Sequence, residues 1–500
     1  MKFRQRQILL SILLLCGAIV LLLHSRTLED NDLDLHPKVS GATLTASPPR
    51  ARIPLDPPPG KPDGDGPDEP GDKEQQAAPL AFFQRSPAGG ECPKVLRPAS
   101  EVKETQTFQK VDNDTGLYVF SAFLDEKEKG VRVVGLNSWK ARQVFCLLWY
   151  DSGDPELRVV SNIVENLPEN HAKRYSGAYI NCRLPDSRHP YAVTVTSRDC
   201  RHQNNSGVVP PSNVLLVQKP RGLEYNFTLC VTALNYKHSR AYEIVEMIEL
   251  NRILGADQFT FYVHSMGDNV AKVLRWYQRQ GLVKLVSWNL PVRVDHWPPD
   301  KAKPPEVHYF AQLASHNDCL NRHRGRSRYL VYQDLDEFII PKRHLTWDAM
   351  LSSLNRNTSA YLFRCVFFRK DWPHNEENFT GRAIADKLQS IALSVDKREP
   401  KYFPHSQRAK YIIDPQGIQT VGIHNIWKYR GPTKSLTNVF EQDALLHHYR
   451  GWENPADKHR AVKDTDIYRF KDELLRRLQE RWSMLPDVPL DIPISTYGQV

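Results

Sequence analysis

Arg328-Tyr329-Leu330-Val331-Tyr332-Gln333-Asp334-Leu335-Asp336-Glu337-Phe338-Ile339-Ile340-Pro341 is the stretch on which the reading of this chain turns. A near-continuous apolar run of this length reads as a strand covered on both faces, the pattern of a parallel sheet flanked by helices. Three acids then emerge where the strand ends, and in open α/β sheets ligands sit beyond the carboxyl ends of the strands. Asp334 and Asp336, two residues apart, can turn towards one divalent cation, and hard carboxylate oxygens suit magnesium or manganese. Taken alone, an Asp-x-Asp triplet more often caps a turn, so its surroundings have to decide.

Upstream, the spacing predicts alternating strands and helices: a strand over 229–234, a helix from Tyr242, a strand over 259–263, a helix over 270–280, a strand over 283–286 and a helix over 310–322. This cadence predicts an α/β fold with a mainly parallel sheet flanked by helices. A phosphatase of the haloacid dehalogenase type also carries Asp-x-Asp at a strand end, but after its first strand; here three strands precede it. Before this region, roughly residues 108–221 hold short β-branched or alternating runs over 117–123, 131–136, 144–149 and 191–196, punctuated by Gly, Pro, Asn and Asp. They predict a small antiparallel β accessory domain.

Ile8 to Leu23 is almost purely apolar and follows Lys2, Arg4 and Arg6. It reads as an uncleaved signal anchor with its basic end in the cytoplasm, the competing reading being a cleaved signal peptide. From Thr27 to Leu80 the chain is rich in Pro, Gly, Asp and Lys, too poor in apolar surface to offset its ordering entropy, so a disordered stem is expected. The expected layout is therefore a cytoplasmic tail (1–7), a transmembrane anchor (8–24), a stem (25–91), a β-rich accessory domain (92–224), an α/β domain (225–484) and a C-terminal tail (485–500).

A lumenal location calls for glycosylation acceptors and oxidised cysteines. Asn-x-Ser/Thr occurs at Asn113, Asn204, Asn226, Asn357 and Asn378. Of the eight cysteines, Cys16 lies in the apolar run, and the odd number remaining leaves at least one free or bridging another chain. No pair has zinc-ligand spacing. The net charge of +9 is modest for 500 residues. The densest basic stretch, Arg322-His323-Arg324 with Arg326 and Arg328, lacks the interleaved aromatics of a nucleic-acid surface, so no nucleic-acid partner is expected. A solvated surface or the attraction of an anionic sugar nucleotide accounts for it.

Several ordered segments together carry a family resemblance: Tyr242-Glu243-Ile244-Val245-Glu246-Met247-Ile248-Glu249, Phe261-Tyr262-Val263-His264, His308-Tyr309-Phe310-Ala311-Gln312 with Asn317-Asp318-Cys319, Asp334-Leu335-Asp336-Glu337-Phe338, Lys410-Tyr411-Ile412-Ile413, Val421-Gly422-Ile423-His424 and His448-Tyr449-Arg450. Over roughly 226–449 the chain resembles glycosyltransferase family 92. The resemblance implies a GT-A-like fold, type II single-pass topology in the Golgi membrane with a lumenal catalytic domain, and inverting transfer of galactose from UDP-galactose. Relatives add β-1,4-linked galactose to terminal galactose or to fucose of N-glycans, or extend plant galactan. The expected acceptor is thus the terminal sugar, galactose by preference, of a glycoprotein N-glycan. A non-catalytic lumenal lectin of GT-A fold is the alternative. A homodimer is left open.

The resemblance also places a manganese ion, with magnesium as the alternative, on Asp334 and Asp336, the former also contacting the donor. A histidine near the end of GT-A domains commonly completes such a site; His448 is the first choice, with His447 and His424 as alternatives and His424 also a substrate contact. Each could equally satisfy a core hydrogen bond. Inversion needs a carboxylate within reach of the acceptor hydroxyl. Glu376 and Glu377, in the acidic loop that follows Asp371-Trp372, are candidates, as is Glu337 unless it orients the metal ligands. Trp372 is a candidate for stacking on a sugar face.

Overall fold

The computed structural model describes residues 102–500 except 114, 139–141, 152–155, 201–212, 355–356, 373–378, 432–434, 452–459 and 499, together with 83–84, 94–95 and 100. These lie in one compact unit spanning Gln76–Val500. The expected tail, anchor and most of the stem fall outside the described residues, as do Glu376 and Glu377. Among the described residues no helix is long and apolar enough to cross a membrane.

The first part is a nine-stranded sheet. Its main strands are β1 (Leu117–Asp125), β2 (Gly130–Asn137), β3 (Gln143–Tyr150), β4 (Glu156–Ile163), β5 (Ser176–Arg183), β6 (Ala192–Thr196) and β7 (Leu215–Gln218). Every pairing is antiparallel except β7 on β1. Val119, Val131, Val133, Cys146, Leu148, Ile180, Val193 and Val195 fill one core of this sheet, and the Cys146–Cys182 disulfide joins β3 to β5. The strands β4 and β5, absent from the sequence reading, are present because their apolar residues pack in register against β3 and β2.

The second part carries the expected alternation: β8 (Tyr225–Leu234), α1 (Ala241–Leu254), β9 (Gln258–Val263), α2 (Asp268–Arg279), β10 (Val283–Ser287), α3 (Gln312–His323) and β11 (Ser327–Gln333). Helix α1 ends on Gly255 in the left-handed region (φ 118°), whose N–H bonds Arg252 O while Ala256 N–H bonds Asn251 O, a glycine stop that satisfies the last carbonyls. In α2, Val270, Val273, Leu274 and Tyr277 recur at helical spacing and are buried.

Downstream come β12 (Glu337–Pro341), α4 (Trp347–Ser353), β13 (Ala360–Phe363), β14 (Cys365–Arg369), β15 (Lys410–Ile413), β16 (Leu436–Asn438) and β17 (Ala444–Arg450). A seven-stranded sheet runs β10-β9-β8-β11-β15-β13-β16 and a five-stranded sheet opens with β12-β17-β14. The expectation of a mainly parallel sheet needs correction. Parallel pairing holds from β10 to β11, after which β15 and β13 join antiparallel, and the second sheet is mixed as well. The apolar run 360–368 forms two strands: at Arg364 the chain leaves one sheet for the other, because β13 pairs with β15 and β14 with β17.

Helix α3 is buried on all sides. Three of its polar residues are bonded to the β-rich part: Tyr179 Oη donates to Asn317 Oδ1 at 2.8 Å, Asn321 Nδ2 donates to Tyr179 Oη at 3.1 Å, and Ser121 Oγ donates to Asp318. The Cys230–Cys319 disulfide fastens α3 to β8 from the other side. A helix wrapped this way has little freedom to shift, so the residues at its amino end are held rigidly beside the strand ends. Cys200 is also disulfide-bonded, and Cys365, buried on β14, is a free thiol, as an odd count requires.

Candidate active site

Asp334 follows β11 directly and Glu337 opens β12, so a tight turn holds the acids at the carboxyl edge of the parallel strands. Glu337 Oε2 accepts the Asp334 N–H at 2.9 Å, closing that turn. Thr232, one residue past the β8–β11 pair Val231–Gln333, donates its hydroxyl to Asp334 Oδ1. Gln312, first residue of α3, bonds Thr232 Oγ1 at 2.8 Å and Asp334 Oδ1 at 3.3 Å. Antiparallel β15 brings Lys410, fully buried, to 2.8 Å from Asp334 Oδ2 and 3.4 Å from Glu337 Oε2. Burial opposes ionisation of Asp334, but the Lys410 charge and these hydrogen bonds outweigh it and hold its carboxyl below the usual range. Both Asp334 oxygens are therefore engaged by protein donors.

Asp336 differs in its partner, not in its exposure. Its side chain, about one-third exposed like that of Asp334, has its Oδ2 3.5 Å from His448 Nε2. The β12–β17 register sets His448 directly across from Glu337, and Glu337 Oε1 lies 3.3 Å from His448 Nδ1. Without a metal, His448 pairs with Asp336 through Nε2, and Nδ1 also has the buried Cys365 thiol 4.0 Å away. With a cation bound, a neutral His448 turned by Glu337 at Nδ1 would offer Nε2 as a ligand, the arrangement in which a carboxylate orients a metal-ligating imidazole. Burial disfavours protonation of His448, yet Asp336 and then Glu337 outweigh it and keep its pKa above the ordinary imidazole value. For Glu337, burial outweighs Lys410 and raises the pKa.

Neighbouring residues on a strand face opposite ways, and this separates the other histidines. His447 lies across β12 from Phe338, stacks on Phe368 at 4.4 Å, and groups instead with Asp464 and Asp466 within 4.8 Å. Those two carboxylates are already countered by Arg398 at 2.7 Å and Lys342 at 3.1 Å. His424 Nδ1 is bonded to Ala409 O at 3.1 Å, and burial with nearby Lys410 lowers its pKa to about 3. It is close enough to feel Asp334 but is not paired with either aspartate.

The segment before α3 is strained: Tyr309, Phe310 and Ala311 have φ of 36°, 52° and 58°, a left-handed run that non-glycine residues rarely adopt. It persists because Phe310 is buried and its carbonyl accepts from Trp288 Nε1 at 2.9 Å. The strain places the Tyr309 phenol near Asp334 and Asp336, where burial and both carboxylates raise its pKa. Tyr309, Thr232, Gln312 and Lys410 were assigned no role from sequence. The left-handed run is conformational and leaves no residue signature, and Lys410 is 76 positions from its partner.

Asp336 forms part of the wall of a cleft of about 850 Å³ that Arg240, Glu243, Lys370, Arg450 and Asp491 also line. Glu243 is nearly buried, 3.1 Å from Arg240 and 3.9 Å from Lys370, with its pKa raised chiefly by burial. Trp372 is buried and its ring lies under the Arg369 guanidinium at 5.4 Å, so its face is not presented to the cleft.

The sequence profile of Glycosyltransferase family 92 matches residues 225–481, which contain every residue of this edge. The chain belongs to glycosyltransferase family 92. Beta-1,4-galactosyltransferase galt-1 of Caenorhabditis elegans is 29 % identical over 263 residues, covering 51 % of this chain and 56 % of that protein. A second Caenorhabditis elegans family 92 protein is 25 % identical over 219 residues, covering 44 % and 41 %. The chain thus spans about half the length of the curated relatives it matches. Among solved structures, Staphylococcus aureus TarS residues 1–349 with UDP-GlcNAc aligns with 51 % of this chain and 72 % of that one, at 8 % identity and a TM-score of 0.26, too low to bear on chemistry.

Proposed function

We propose that this family 92 chain is an inverting β-1,4-galactosyltransferase of GT-A type that moves galactose from UDP-galactose to a terminal sugar of glycoprotein N-glycans, anchored in the Golgi membrane with this unit in the lumen. One observation carries the reading: Asp336, on the cleft wall, lies 3.5 Å from His448, whose other ring nitrogen is 3.3 Å from Glu337, while Lys410, Thr232 and Gln312 hold Asp334 as an anion. Residue chemistry fits a divalent cation. A carboxylate with an exposed oxygen and a neutral imidazole oriented by a second carboxylate suit manganese, with magnesium as the harder alternative. Bound there, such an ion supplies positive charge against the departing diphosphate.

The chain's own groups do the rest. Arg240, Lys370 and Arg450 give the cleft cationic walls suited to a diphosphate. Glu243, a lining carboxylate whose pKa is pushed up, has the property a general base near neutral pH needs. Glu376 and Glu377 stay alternatives for that role, a few residues beyond cleft-lining Asp371.

The full chain should be incubated with labelled UDP-galactose, UDP-glucose, UDP-GlcNAc and UDP-GalNAc against galactose- and fucose-terminated N-glycans, followed by linkage analysis. Galactose transfer forming a β-1,4 bond supports the proposal. Glycan binding without turnover of any donor would favour the lectin alternative.

A further inference from the structure

The basic stretch at 322–328 is not consumed by the active site. It sits at the opposite, amino-terminal edge of the parallel strands, about 20 Å away by the length of β11. There Arg322, Arg324 and Arg326 converge with Lys219, Arg221 and Lys284 around a cavity of about 350 Å³ between β1 and β7 of the first sheet and the end of α3. Three of these cations are accounted for. Arg322 is held by Asp318 at 2.9 Å and by Glu104; Arg324 by Asp125 at 3.3 Å and by the Ile418 and Pro415 carbonyls at 2.6 and 3.0 Å; Arg326 by Glu224 at 2.6 Å.

The other three are less tightly held. Lys219, Arg221 and Lys284 make no side-chain hydrogen bond or ion pair with any described residue, Arg221 only contributing to the field on Glu224, and Glu104 is the only acid among the described lining residues. Lys219 and Arg221 are exposed at the mouth and Lys284 is partly buried on β10. Burial first, then Arg322 and Arg326, depress the Lys284 pKa against the opposing pull of Glu104 and Asp318. Gathering like charges in a partly enclosed space is unfavourable unless an anion fills it.

We infer that this cavity is a binding site for a compact oxyanion, a sulfate or phosphate ester, held by Lys284, Arg221 and Lys219 and distinct from the donor cleft. Two sources share that chemistry: a sulfated or phosphorylated sugar, and a nucleotide.

The test is calorimetric titration of the full chain with inorganic sulfate and phosphate at fixed ionic strength, with chloride as the control. Galactose 6-sulfate and UDP form the two further arms. Saturable sulfate or phosphate binding that chloride does not reproduce is expected. It should weaken about tenfold or more in Lys284→Gln/Arg221→Gln, the scale of losing charge-assisted hydrogen bonds. Because Lys284 is partly buried, Lys219→Gln/Arg221→Gln, altered only at exposed positions, is the second variant and should weaken binding at least about threefold. The sensitive arm, sugar sulfate or UDP, names the source. Absence of saturable binding at about 10 mM, or equal binding by chloride or by both variants, would overturn the assignment.

Discussion

Replacing Lys410 by Met should expose how the acidic edge is held together. Its ammonium is fully buried at 2.8 and 3.4 Å from the two carboxylates, which at an effective dielectric of about 20 corresponds to about 6 and 5 kcal/mol of gross attraction. Desolvating the ammonium costs several kcal/mol of that, and removing one partner of such a group typically destabilises by about 3–5 kcal/mol. The pH dependence gives a second signature. The Lys410 pKa is raised in the folded protein, so its contribution is fully present below the unfolded value of about 10.4 and is constant between about pH 5 and 8. In the variant, buried Glu337 and partly buried Asp334 are left without their cation, and their folded pKa values rise. That stability is present below their unfolded values of about 4 and is lost as pH rises through the raised ones. Urea denaturation followed by tryptophan fluorescence, in EDTA at about pH 5, 6.5 and 8, should show a deficit that grows with pH, and Asp334→Asn in the variant background should recover part of it. A deficit below about 1 kcal/mol, or one that shrinks as pH rises, would refute the electrostatic role of Lys410.

Other consequences are equally direct. Glu337→Gln weakens the orientation of His448 and should lower manganese affinity about 10- to 100-fold, measured by water proton relaxation, with the fold retained by circular dichroism. His448 must be neutral to ligate, and its pKa is raised, so manganese affinity should rise with pH through that raised value. The metal-free protein behaves oppositely: the stability His448 contributes is present below about pH 6.5 and lost as pH rises, which paired denaturation with and without metal would show. At Gly135 an added Cβ would collide with the Tyr118 carbonyl oxygen across β1–β2, so Gly135→Ala should cost about 1–3 kcal/mol or more in thermal denaturation.

Much of this edge was visible in the sequence because its signals are local. The apolar run before Asp334 and the helical spacing of Val270, Val273, Leu274 and Tyr277 each declare an element within a few residues. What escaped was set by pairing. His447 and His448 are equivalent in sequence, and only the β12–β17 register turns one to Glu337 and the other to Phe368. The sheet change at Arg364 is silent because both halves are apolar. Lys410 is unremarkable until antiparallel β15 slides it beside Asp334. Trp372, an attractive sugar platform by type, is buried under Arg369.

The central claim, that Asp336 and His448 form a metal-dependent galactosyl-transfer site, is tested most directly by initial rates of labelled galactose transfer from UDP-galactose across a manganese titration, for wild type and Asp336→Asn. Wild-type transfer should be abolished by EDTA and restored by manganese, and the variant should fall by at least about 100-fold at saturating donor. Transfer by Asp336→Asn at the wild-type rate, or wild-type transfer indifferent to EDTA, would contradict it.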